Sequence, residues 1–359
     1  MKAATDLFGL QEVCFRVTEA HSLRLATTPG AKDQTMKLTN SVRNKIHPWF
    51  MDSSEIQKNS KNLPSEIRHH TNEIIENGFT VIKKSIPKEK CTQAINSFKR
   101  FSQSHKQKFE KHIDADGHYP RIINLHTILP ELFSLFSDNS IAYQTQLALF
   151  GATPCLYTSL FYERGSAQPA HRDSPYFSTR PEHFYLGVWV ALEDATKANG
   201  ALQVFAGGHK LPELNREEIA KEIVGSLNEI PPISNELFES YRSKVEQQCL
   251  SAGLTLQTLD VEAGDTVIWH PQLPHGGGAI EDITRTRFSL VMHTTPVGVP
   301  VYHQDKFFNP KAPAPMDAPW EYEQIEGFYR VQHTTFNIGH QEAFEVSDFS
   351  ARPQEDYSS

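Results

Sequence analysis

A His-Arg-Asp tripeptide at 171–173, a histidine at 275 and an arginine at 287 together supply the side chains for one kind of metal chemistry. Two imidazoles and one carboxylate can occupy one face of an octahedral Fe(II) ion and leave the other positions open, as in non-haem iron oxygenases. An arginine beyond them suits a dicarboxylate, which its planar fork can grip with paired N–H donors. His171 and Asp173 are two residues apart, so on an extended backbone both side chains point to one face. His275 has to arrive from another strand.

The tripeptide pattern alone is weak, because His-x-Asp occurs twice more, at His112-Ile113-Asp114 and His303-Gln304-Asp305. The first sits in the charged run KQKFEKHIDADGH with nothing strand-like before it. The second follows the last strong strand and has no suitably placed His and Arg downstream. His171 comes after an apolar run, Cys155 to Tyr162, and has the remaining parts ahead of it in order. His270 competes with His275 for the distal position, since both lie in AGDTVIWHPQLPHGGG. His275 is preferred because the Gly276-Gly277-Gly278 run lets backbone approach a ligand closely. Arg285 competes with Arg287, which has Ser289 on the same strand face.

The elements that must position these residues follow from periodicity. Asn77-Gly78 reads as a turn before a strand, Phe79 to Ile82, and Ser85 and Pro87 open a helix whose Cys91, Ala94, Ile95, Phe98 and Phe101 recur at helical spacing. A second helical region covers Leu129 to Phe150. The period then becomes strand-like in YLGVWVAL, ALQVF, LQTLDV, DTVIWH and TRFSLVMH. Helices followed by strands predict an α+β fold with a jelly-roll core. A helical insertion at 213–254 interrupts the strands, with Leu237, Tyr241, Val245 and Cys249 on one face. Residues 1–62 read as an extension, packed on the main domain or partly mobile, 63–310 as the main domain, and 311–359 as a C-terminal extension ending in the polar tail ARPQEDYSS.

Composition bounds the partners. A net charge of -8 without a concentrated Lys/Arg tract argues against nucleic acid or an anionic membrane surface. Four scattered cysteines (14, 91, 155, 249) form no CxxC pair, which suggests reduced core thiols. No apolar stretch is long enough to span a bilayer and the N-terminal residues lack a continuous apolar core, so a cytoplasmic protein is expected. Oligomeric state is not readable.

The segments GSAQPAHRDSPYF (165–177), WVALEDATKANGALQVFAGGHKLP (189–212), AGDTVIWHPQLPHGGG (263–278) and TRTRFSLV (284–291) resemble the phytanoyl-CoA dioxygenase family of Fe(II)/2-oxoglutarate oxygenases. With ENGFTVIKKSIPKEKC (76–91) the resemblance spans about 65–300. It departs at GGHK, where the family has PGSHK. The resemblance implies a double-stranded β-helix (cupin-like) core, iron held by His171, Asp173 and His275, and 2-oxoglutarate held by Arg287 with Ser289 in support. Trp189 would flank the co-substrate, with Gln168 and Thr158 as further contacts. It also implies O2-dependent turnover of 2-oxoglutarate to succinate and CO2. Asp173 supplies the carboxylate that halogenating relatives lack, so hydroxylation or a related oxidation is implied. Arg172, Tyr176, Arg180 and His183 near the motif suggest a small polar or saccharide-like substrate, and no basic cluster argues for a CoA thioester. Two other readings are a jelly-roll metalloenzyme that does not use 2-oxoglutarate, such as a cupin-like isomerase or oxidase, and a non-enzymatic sugar-binding jelly roll. Arg287 and Ser289 discriminate against the first, and the triad against the second.

Overall fold

Alternation along the central strands sends one set of side chains to a helical layer and the other to an inner cavity. The computed structural model describes residues 40–113, 119, 121–332 and 343–345; the expectations for 1–39, for Asp114 and for the final tail lie outside the described residues. In chain order, α1 (Ser53–Ser60) and α2 (Ser65–Asn77) lead into β1 (Phe79–Ile82). Then come α3 (Lys88–Ser104), β2 (Arg121–Ile123), α4 (Pro130–Ser137), α5 (Ser140–Phe150) and β3 (Pro154–Tyr162). The second half contains β4 (Ser178–Thr179), β5 (Leu186–Ala191), β6 (Leu202–Phe205), α6 (Arg216–Val224) and α7 (Asn235–Ser251). It continues with β7 (Leu256–Thr258), β8 (Thr266–Trp269), β9 (His275–Gly277), β10 (Ser289–Pro296), β11 (Val301–Tyr302), β12 (Tyr322–Ile325), β13 (Phe328–Val331) and β14 (Ala343–Glu345).

The main sheet runs β1-β8-β5-β10-β3-β13-β12, with β2 also paired to β3 and β14 to β2. A second sheet, β7-β6-β9, completes a jelly-roll core in an α+β fold. The β12–β13 hairpin extends the main sheet, β13 lying parallel to β3 through Tyr329 and Arg330. At the other end, Trp49 and Phe50 are buried in the main core, and Trp49 donates to the Ala148 carbonyl at 2.9 Å.

Helix α3 forms because Cys91, Ala94, Ile95 and Phe98 make one apolar stripe, and it begins after Pro87, which has no N–H to lose. That stripe, with Leu132, Phe136 and Leu149, packs on Phe161, Leu186, Val188, Val190, Ile268, Leu290 and Met292 of the main sheet. Phe98 sits 4.6 Å from the Phe161 ring, and burial of such a side chain contributes about 1.5–3 kcal/mol. The helical stretch 129–150 divides at Asn139, whose side chain leaves the helix to donate to Thr266 Oγ1 at 2.8 Å. The alternate residues Leu160, Trp189, Trp269, Arg287, Val291 and His293 face the cavity.

The insertion contains α6 and α7. Asn215 and Ser234 cap them by accepting from Glu218 N–H and Leu237 N–H. Leu237, Tyr241 and Val245 pack on Ile219, Ala220, Phe307 and Phe308, whereas Phe238 turns to the cavity side, 4.8 Å from the Tyr176 ring.

One close approach decides how the main sheet serves the cavity. Gly187 lies opposite Trp269 in the β5–β8 register, and a Cβ there would come within 2.0 Å of the indole. Gly187→Ala is therefore expected to destabilise the fold by about 1–3 kcal/mol through overpacking. Chemical denaturation should show this, with Trp269 fluorescence displaced in the folded baseline.

Candidate metal centre and its cavity

His171 and His275 face each other across an isolated antiparallel bridge. Each donates its backbone N–H to the other's carbonyl, at 2.8 and 2.9 Å. The close approach needs Gly276, whose Cβ would lie 2.5 Å from the Gln168 carbonyl. The glycine run thus makes room for the 166–170 backbone, although Gly276 and Gly277 also border the cavity. After Asp173 the chain turns sharply, its carbonyl accepting from Tyr176 and Phe177 N–H, and both rings fold back over the cavity.

Both imidazoles are oriented alike. Nδ1 of His171 lies 3.0 Å from the Pro169 carbonyl, and Nδ1 of His275 lies 3.0 Å from the Leu273 carbonyl. A carbonyl only accepts, so each Nδ1 carries the proton and each Nε2 presents a lone pair. These lone-pair nitrogens lie 3.4 Å from Asp173 Oδ1 and 3.5 Å from Oδ2, respectively. That is close to the ~3 Å between neighbouring ligands of an ion with bonds of about 2.1 Å. The three ligand atoms fall within 4.8 Å of one another, and all three residues are buried. Burial pushes the Asp173 carboxyl up, whereas His275, His171 and His293, when protonated, pull it well below the usual carboxylate range. Burial also lowers His275, which favours the neutral ligand form.

The main sheet clamps this carboxylate. Tyr185 Oη donates to Asp173 Oδ2 at 2.5 Å and Trp269 Nε1 donates to the same oxygen at 3.0 Å. Neither residue was singled out from sequence. Tyr185 immediately precedes β5 and Trp269 ends β8, and only the pairing of β5 with β8 brings the two to the same carboxylate.

Arg287 borders the same cavity, 4% exposed, with its guanidinium 5.6 Å from the Trp189 ring. It donates to the Gly200 carbonyl through Nη1, its Nε has no protein partner, and no described carboxylate pairs with it. Burial lowers it to about 10. The buried Ser289 Oγ beside it is also unpartnered. A buried cation without an anion is costly, so this donor set fits an anionic ligand. Arg285 is exposed, and His270 lies outside the cluster: its Nδ1 accepts from Gln272 N–H and its ring meets Phe50 edge-on.

A family model described as "Phytanoyl-CoA dioxygenase (PhyH)" matches residues 74–282. The chain belongs to the phytanoyl-CoA dioxygenase family. It is 34% identical over 114 residues to a probable phytanoyl-CoA dioxygenase of Caenorhabditis elegans, covering 32% of each protein. To the peroxisomal phytanoyl-CoA dioxygenase of Homo sapiens it is 31% identical over 116 residues, 32% of this chain and 30% of that protein. The matched region thus spans about a third of these relatives' length. Among solved structures, the epimerase SnoN in complex with Fe3+, alpha ketoglutarate and nogalamycin RO shares the fold at a TM-score of 0.50 and 14% identity, over 76% of this chain and 100% of that one.

Within this phytanoyl-CoA dioxygenase fold, Gln168, Tyr176 and Trp189 border the cavity. Four expected contacts do not. Arg172 points to the opposite side from His171 and Asp173, as strand alternation requires, and donates to the Gly208 carbonyl at 3.2 Å, fully buried away from the cavity. Thr158 spends its hydroxyl on Asn124 Oδ1 at 2.7 Å. Arg180 is engaged by Ser178, Glu182 and the Thr179 and Lys306 carbonyls, and His183 lines a separate small pocket with Glu182 and Arg216. Arg121, Tyr162, Phe177 and His293, by contrast, line the cavity without having been picked out from sequence.

The Tyr185 clamp generates a direct expectation. Tyr185→Phe keeps the ring but removes one donor from Asp173, and should weaken divalent-metal affinity by about 10–100-fold. Anaerobic Fe(II) titration by calorimetry checks this, and His270→Ala should leave the affinity unchanged.

Proposed function

We propose that this chain is an Fe(II)- and 2-oxoglutarate-dependent dioxygenase that hydroxylates a small polar or saccharide-like substrate, releasing succinate and CO2. The observation that carries this reading is one cavity bordered by both a buried His–Asp–His cluster and a buried arginine lacking an anionic partner. A cupin-like isomerase or a sugar-binding jelly roll has no use for that arginine. Membership of the phytanoyl-CoA dioxygenase family supports the same reading, as does a fold neighbour that holds alpha ketoglutarate together with nogalamycin RO.

His171, Asp173 and His275 would hold the iron, and Arg287 with Ser289 would take the far carboxylate of 2-oxoglutarate. Iron so held supplies O2 activation coupled to decarboxylation of the co-substrate. The chain's own residues do the rest. Two backbone carbonyls fix the imidazole tautomers, and Tyr185 and Trp269 hold the carboxylate's second oxygen so that it cannot rotate away. Trp189 presents a flat wall beneath the guanidinium. Phe238 of α7, whose ring lies 6.0 Å from that of His171, and Tyr176 screen the centre from water, which protects reactive species. The cavity encloses about 80 Å³ and opens to solvent at its mouth.

Anaerobic Fe(II) with 2-oxoglutarate should give the weak visible charge-transfer band of a chelated keto acid. His275→Ala should abolish it and His270→Ala should keep it. Arg287→Ala should weaken 2-oxoglutarate by about 2–5 kcal/mol, with Arg285→Ala unchanged. Loss of the band in His270→Ala alone, or unchanged affinity in Arg287→Ala, would reject the assignment.

A further inference from the structure

His293 borders the cavity from the same strand face as Arg287, Ser289 and Val291, with Cα atoms of 287 and 293 about 20 Å apart along extended backbone. It is 3% exposed and stacks on Phe177 with ring centroids 4.0 Å apart. Its Nδ1 lies 2.7 Å from Tyr185 Oη, the atom that also lies 2.5 Å from Asp173 Oδ2. One phenolic proton therefore has two neighbours to serve. A carboxylate can only accept, and a hydrogen bond to an ionised acceptor is the stronger, so the proton goes to Asp173. Tyr185 Oη then accepts from His293, which places the imidazole proton on Nδ1. Nε2 is left as a bare lone pair.

That atom has no partner in the protein. Burial lowers His293 to about 4, which favours the neutral ring. Leaving such an acceptor buried and unpaired is unfavourable. 2-Oxoglutarate cannot satisfy it, because the dianion is acceptor-only.

We propose that His293 Nε2 accepts a hydrogen bond from a hydroxyl or N–H of the primary substrate, which makes this end of the cavity a subsite selecting donor-bearing, polyol-like ligands over ethers of the same shape. The inference rests on the reading of the cavity as the substrate chamber of an oxygenase. Tyr185 is the positioning residue, since it fixes the tautomer.

The test uses the full chain labelled with 15N-histidine, without metal and with 2-oxoglutarate. His293 Nε2 should resonate as an unprotonated nitrogen and shift on titration with polyols of three to six carbons. It should not shift with their methyl ethers, which should bind about tenfold more weakly. In His293→Phe that preference should disappear, and His293→Gln, whose amide oxygen can accept, should recover part of it. An Nε2-protonated His293 in the parent protein, a resonance moved by no polyol, or a preference that survives in His293→Phe would each overturn the proposal. Absence of the keto-acid band in the iron-loaded parent would instead reject the oxygenase reading, while the imidazole measurement, made without metal, would stand.

Discussion

Two backbone hydrogen bonds between His171 and His275 hold the candidate centre together, because they are the point where a segment outside both sheets is pinned to β9. Each is worth only about 1 kcal/mol net. Their importance is geometric. They set both histidines opposite each other, and the two-residue step from His171 then delivers Asp173 to the main sheet, where Tyr185 and Trp269 take hold of it. The centre is therefore built from both sheets, and neither sheet alone contains it.

The electrostatics of the cavity are unbalanced in an instructive way. Asp173 is a buried anion held by two neutral donors, Tyr185 and Trp269, and Arg287 is a buried cation that only carbonyl and ring contacts address. Under the proposed reading, a divalent cation beside Asp173 and a dianion beside Arg287 give each buried charge an opposite partner while keeping the summed formal charge at zero. The empty-handed donors on Arg287 and Ser289 then serve co-substrate binding rather than folding.

Much of this was legible in the sequence, for reasons tied to particular residues. The strand at Phe79–Ile82, the stripe from Cys91 to Phe98 and the buried face of α7 follow from period alone, since burial imposes it. The order His171, Asp173, His275, Arg287 was readable because each residue carries unmistakable chemistry. Tyr185, Trp269 and His293 were not, because their roles depend on a register between distant strands that a single chain does not print. Arg172 and Thr158 went the other way. Arg172 sits beside the motif in sequence, but alternation with His171 and Asp173 turns it outward; Thr158 is taken by an asparagine in a loop that has no periodic signature.

β10, with the two residues that lead into it, carries Arg287, Ser289, Val291 and His293 on one side and Phe288, Leu290 and Met292 on the other. A slip of one residue against β3 and β5 would exchange the two sets. It would drive a guanidinium and an imidazole among Phe98, Phe161 and Leu186, where no described acceptor awaits them, and would leave methionine and leucine beside the metal ligands. The groups that equip the cavity thus also act as a proofreading device for strand pairing. Replacing them with apolar residues to enlarge the chamber would remove the penalty that keeps β10 in its correct alignment.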